Sequence, residues 1–309
     1  MTINEHISQF AGLPVVDFDP DKPLPVEPGT AAWRVQTDYE GGAEGFERLL
    51  SALLAADWAS LVPALVIGEW GESYDTAAPV ERLGAAAAQL TGLRALFLGE
   101  MTYEENEISW IMQTDVSPLL VAYPALEVLR VRGAQGLEVT PVRHETLREL
   151  AFESGGLPAD VVRAVGECDL PGLRHLELWL GTVAYGGDAT VDDLAPILGG
   201  ARLPALTYLG LRDSEIADEV AAAVAGAPVV ARLETLDLSL GALSDVGAAN
   251  LLAGQPLTHL RTLDLHHHFL SEAMIERLRV ELGDAGVNVD TTDRQEADED
   301  GDRYIAVAE

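Results

Sequence analysis

Three hexapeptides constrain the fold more than anything else in this chain. Leu206-Thr207-Tyr208-Leu209-Gly210-Leu211, Leu233-Glu234-Thr235-Leu236-Asp237-Leu238 and Leu260-Arg261-Thr262-Leu263-Asp264-Leu265 follow one another at a spacing of 27 residues. Each reads L-x-x-L-x-L, a short strand with its leucines on one face. A fixed period of this length means that one supersecondary unit is repeated. Such a unit cannot bury its apolar face alone, so neighbours must stack.

The same rhythm, in degenerate form, runs through most of the 309 residues. Further strand cores are expected at Trp33-Arg34-Val35, Leu65-Val66-Ile67, Leu96-Phe97-Leu98, Leu129-Arg130-Val131, Leu150-Ala151-Phe152, Leu176-Glu177-Leu178 and Val287-Asn288-Val289. With the three leading copies that makes ten, at intervals of 21 to 33 residues, and the longer intervals leave room for a helix. Phe46, Leu49, Leu50, Leu53, Leu54 and Trp58 share one helical face. Thr190 with Asp193, and Ser271 before Glu272, signal helix starts. Pro124, Pro171, Pro204 and Pro256 end connections ahead of the next strand.

The pattern resembles the long, helix-containing leucine-rich repeats of the ribonuclease-inhibitor type, over roughly residues 30–290. That resemblance implies an α/β solenoid, a horseshoe with a concave parallel sheet and convex helices. The organisation expected is a lead-in or cap over 1–30, about ten repeats over 31–290, and an acidic linker with a final strand over 291–309. Gly99-Glu100-Met101-Thr102-Tyr103-Glu104-Glu105-Asn106-Glu107, continuing to Leu120, and Leu265-His266-His267-His268-Phe269-Leu270-Ser271 resemble blocks of an uncharacterised family of cytoplasmic bacterial leucine-rich-repeat proteins. The resemblance implies no defined activity and carries over no catalytic residue.

Charge narrows the partners. With 51 acidic against 19 basic side chains the formal charge is −32. Such a surface repels nucleic-acid phosphates and anionic lipid, and attracts a basic protein. The only cysteine, Cys168, fits a reducing compartment and sits where a small buried side chain packs. The opening residues lack the basic and apolar regions of a signal peptide, and the apolar run Val220 to Ala231 is too short to span a bilayer. The expectation is a cytoplasmic protein without a membrane segment.

In L-x-L the residues between and beside the leucines turn to the other sheet face, and equivalent positions on neighbouring strands form ladders. Glu177, Asp237 and Asp264 share one column, interrupted by Gly210. With His175, Trp179, Tyr208, Arg212 and His266 beside it, this column is the candidate partner-binding surface, since aromatic rings next to carboxylates suit Lys and Arg side chains. A non-catalytic scaffold for a protein partner is the leading reading. The alternative is an enzyme or metal-dependent accessory protein with a site near Glu177, Asp264 and His266.

No metal or cofactor is expected. Adjacent strand residues alternate in direction, so His266, His267 and His268 cannot converge on one ion, and Asp264 with His266 alone makes a weak site. His268 falls where leucine-rich repeats place Asn or Cys, which predicts structural hydrogen bonding. Glu104-Glu105-Asn106-Glu107 reads as a solvated loop leading into packed Ile108, Trp110 and Ile111, not as an acid–base pair. The glycine pairs lack phosphate-loop spacing, and no Ser-His-Asp order or G-x-S-x-G elbow occurs.

Overall fold

The structure, a computed structural model, describes residues 3–38 and 40–308. The chain divides into two compact units, within which the described residues are 3–152 and 153–308. Each is an α/β leucine-rich-repeat solenoid, with a parallel sheet on one side and mostly helical connections on the other.

In the first unit β1 (Gln9–Phe10) and β2 (Leu13–Asp17) form an antiparallel hairpin around Ala11 and Gly12. Both turn residues have positive φ, 49° and 75°, the pairing that a two-residue hairpin loop requires. β2 then pairs in parallel with β3 (Ala32–Val35), followed by β4 (Ala64–Ile67), β5 (Ala95–Leu98) and β6 (Val128–Arg132). β7 (Glu149–Glu153) closes the series. Helices α1 (Gly42–Ala55), α2 (Val80–Ala85) and α3 (Ser117–Ala122) lie in the connections. Phe46, Leu50, Leu53 and Leu54 of α1 are buried, as their spacing predicts.

The residues before 31 do more than lead in. Strands β4 and β5 carry apolar residues on both faces, and the face opposite the leucines is not open there. Phe10 packs against Ala32, Ala64, Val66, Ala95 and Phe97, with Ile7, Leu13 and Val15 at the margin. The N-terminal segment is pinned by Glu100, which is fully buried. One Glu100 oxygen accepts the Ile7 N–H at 2.9 Å, and the other meets Arg34 at 2.9 Å and His6 at 3.0 Å. Glu105 accepts the Thr102 N–H and hydroxyl, and Asn106 donates to Ser73. The acidic block around residues 100–107 therefore ties loops together. Ile108 and Ile111 pack as expected, but Trp110 does not: its ring is half exposed.

The second unit contains β8 (His175–Gly181), β9 (Tyr208–Ser214), β10 (Thr235–Asp237), β11 (Thr262–Asp264) and β12 (Asn288–Asp290), paired in parallel in that order. Leu176, Leu209, Leu236 and Leu263 stack in register and are fully buried. α4 (Ala159–Glu167), α5 (Ala195–Gly199), α6 (Ala217–Val224), α7 (Asp245–Ala253) and α8 (Glu272–Leu278) fill the connections. Ser271 caps α8 through the Met274 N–H, and Thr190 donates to Asp193 in the turn before α5.

Residues 303–308 form no strand, contrary to the pattern of Tyr304 to Ala308. They do return to the repeats, meeting the last residues of β9 and the turns just beyond β10 and β11. Arg303 donates to the Ala242 carbonyl, the Ala306 N–H to the Leu240 carbonyl, and the Val307 N–H to the buried Asp213 carboxylate. A chain running across strand ends meets single bonds, not the ladder that would make it a strand.

Candidate functional site

The register places Glu177, Gly210, Asp237, Asp264 and Asp290 in one column of the second unit. Asp290 is the member that sequence reading missed, because Val287-Asn288-Val289 carries no leucine to mark its phase.

The upper half of the column is self-satisfied. Arg212 reaches Glu177 at 2.8 Å and Asp237 at 3.2 Å, and its guanidinium lies 5.3 Å from the Trp179 ring centroid. Burial opposes the charge on Arg212, but the Asp237 and Glu177 carboxylates together outweigh it and raise its pKa. The Trp179 indole N–H donates to Glu177 at 2.7 Å, and the Tyr208 hydroxyl donates to Asp237 at 2.6 Å. Burial, and then the charges of Asp237 and Glu177, hold the Tyr208 phenol far above its ordinary pKa, so it stays a donor. The His175 ring stacks on Tyr208 at 3.7 Å and 6°, and also contacts Glu177 at 3.2 Å. Gly210 interrupts the acids for a steric reason. A Cβ there would stand 3.1 Å from the Tyr208 ring and 3.3 Å from Glu177.

Consequently Glu177, Trp179 and Asp237 are only 3, 8 and 4% exposed, while His175, Tyr208, Arg212, Asp264 and His266 are half-buried. The lower half differs. Asp264 Oδ1 accepts the His266 backbone N–H at 3.0 Å and lies 2.7 Å from His266 Nδ1. Asp290 Oδ1 accepts the Thr292 N–H and hydroxyl, which hold its pKa below the ordinary carboxylate value. No lysine or arginine pairs with either aspartate among the described residues. Glu177 does not converge with Asp264 and His266: it stands three rungs away, about 14 Å at about 4.8 Å per rung.

The triple histidine separates as alternation predicts. His268 is fully buried, with Nδ1 accepting the Leu270 N–H at 3.0 Å and Nε2 donating to the Thr291 carbonyl at 3.0 Å. His267 contacts Asp293 and the Tyr304 carbonyl. His144, unremarked in the sequence, plays the same part in the first unit, accepting from the Leu147 N–H and donating to the Tyr123 carbonyl. The first unit also holds a cavity of about 1340 Å³, lined by nine carboxylates (among them Asp38, Glu44, Glu69 and Glu72) and three cations, Lys22, Arg34 and Arg48. No helix among the described residues is long and apolar enough to cross a membrane.

No protein-family model matches the chain, and no curated protein matches it. Among solved structures, the crystal structure of a Bacteroides fragilis protein is similar over 89% of this chain and 76% of that one, at 29% identity and a TM-score of 0.79. A Listeria monocytogenes internalin aligns over 87% of this chain and 76% of its own at 13% identity, with a TM-score of 0.38. The first likeness extends across most of both backbones; the second is too loose to bear on the argument.

Proposed function

We propose that this protein is a non-catalytic interaction scaffold, and that its second unit receives a basic protein partner on the sheet face opposite the leucines. The observation that most supports this is an aromatic platform at one end of a column whose other end, Asp264 and Asp290, pairs with no lysine or arginine among the described residues. His175 and Tyr208 are stacked and half-buried, and Asp264 and Asp290 continue the column with no paired lysine or arginine among the described residues. A surface fixed before binding loses little conformational freedom on association. Glu177, Trp179 and Asp237 hold the platform from beneath; His175, Tyr208, Arg212, Asp264 and His266 meet the partner. A lysine or arginine from the partner finds the ring face and the acids together. The acid excess around the first unit's cavity favours the same sign of partner. The bacterial cytoplasm is the location we propose, in keeping with the single cysteine.

Capture from native lysate on immobilised protein tests the reading. A specific partner should be retained at low salt and released at high salt, and D264N/D290N should retain less of it. If no specific partner is held at low salt, the scaffold reading falls.

A further inference from the structure

The lower column has a chemistry that goes beyond a docking face. Asp264 and Asp290 are directly opposed on adjacent parallel strands, and His266 follows β11 by two residues. One donor atom from each of the three lies within 4.8 Å of the other two. Two contrasts within this protein single the trio out. One rung earlier, the second oxygen of Asp237 is occupied by the Tyr208 hydroxyl and Arg212. The second oxygens of Asp264 and Asp290 have no hydrogen-bond partner among the described residues, so two like charges face each other without a fixed cation. The other contrast lies in the imidazoles. His267 and His268 each engage both ring nitrogens, whereas among the described residues His266 engages Nδ1 only.

We propose that Asp264, His266 and Asp290 bind a divalent first-row transition ion of the Zn²⁺ type. Two carboxylates and an imidazole are a borderline donor set. Mg²⁺ and Ca²⁺ favour shells made of oxygen, so the nitrogen selects against them. The Asp264 contact fixes the ring and the Thr292 bonds fix Asp290, so the donors are arranged before the ion arrives. The ion supplies the positive charge that Arg212 supplies higher in the column. Three protein ligands at a half-buried position leave at least one coordination place for water or for a group from outside the chain. Asp290 is what changes the outlook for a metal here: Asp264 and His266 alone supply only two donors.

The test needs only the ion and is independent of any protein partner. Calorimetric titration of Zn²⁺ into chelator-treated, untagged protein should show one equivalent bound, with Mg²⁺ giving no comparable uptake. D290N and H266Q should each weaken association about tenfold or more. Asp300→Asn, in the exposed acidic tail, should leave it unchanged. Histidine-ring NMR of the unsubstituted protein gives a reading that no folding defect can confuse: Zn²⁺ should move the resonances of a single imidazole. Absence of stoichiometric uptake, wild-type affinity in both D290N and H266Q, or an ion that perturbs no imidazole would overturn the proposal. Loss of the ion with the partner still captured would remove this site and leave the scaffold standing.

Discussion

At the scale of single residues, His268 shows how a side chain that invites a catalytic or metal reading is spent on the backbone. Its Nδ1 accepts from Leu270 and its Nε2 donates to Thr291, so the neutral imidazole joins a buried N–H of the turn after β11 to a carbonyl just past β12. Burial lowers its pKa, against the raising effect of the Thr291 bond. The sign follows directly. The folded state resists the proton that the unfolded chain accepts, so the stabilisation is present above the unfolded imidazole value of about 6.5 and is lost as pH falls below it. H268A should destabilise the protein by about 1–3 kcal/mol, because it leaves a buried N–H and a part-buried carbonyl without their partner. H268N, which can still accept from Leu270, should recover part of that. Denaturant unfolding followed between neutral and mildly acid pH measures both, and H268A should also flatten the pH dependence. Unchanged stability in H268A would mean that water serves the turn equally well.

At the scale of elements, the network across β8, β9 and β10 has Arg212 between two buried acids. Replacing Arg212 by Met leaves Glu177 and Asp237 facing each other without it, at an expected cost of about 3–5 kcal/mol. The triple variant R212M/E177Q/D237N removes the charges together and should return most of that stability, which a comparison of unfolding midpoints would show. If R212M alone is harmless, the carboxylates are better solvated than their burial implies. The column itself was legible in the sequence, because L-x-L alternation fixes which residues share a face and aligning the L-x-L cores, 27 residues apart from Gly210 to Asp264, fixes their register. That its members neutralise one another was not legible, since Arg212 acts across rungs and a strand pattern carries no information on side-chain reach. The closed face of β4 and β5 did leave a trace. Ala64-Leu65-Val66-Ile67 and Ala95-Leu96-Phe97-Leu98 lack the polar alternation of the later strands, as strands covered on both sides should. The cover, a hairpin turning through Ala11 and Gly12, has too short a sequence signal to announce itself. Asp290 escaped for a related reason: β12 is three residues long and has no leucine.

At the scale of the whole molecule, the charge of −32 makes opposite demands on folding and on binding, and salt separates the two. Self-repulsion among so many carboxylates disfavours the compact state. Several acids are locally answered, as in the Asp19–Lys22 and Glu276–Arg279 pairs, but 19 cations cannot answer 51 anions. Raising ionic strength from about 0.01 M to about 0.15 M shortens the screening length from about 30 Å to about 8 Å, which removes long-range repulsion while leaving contacts between buried partners largely intact. The melting temperature of the free protein should therefore rise over that interval. Association with a basic partner rests on the same unscreened field and should weaken over it, mainly through a slower on-rate. Thermal unfolding and association kinetics in one salt series read both effects. A melting temperature that falls with salt would place the acids in stabilising pairs and not in a repelling shell. An association rate indifferent to salt would deny the charge its part in recognition.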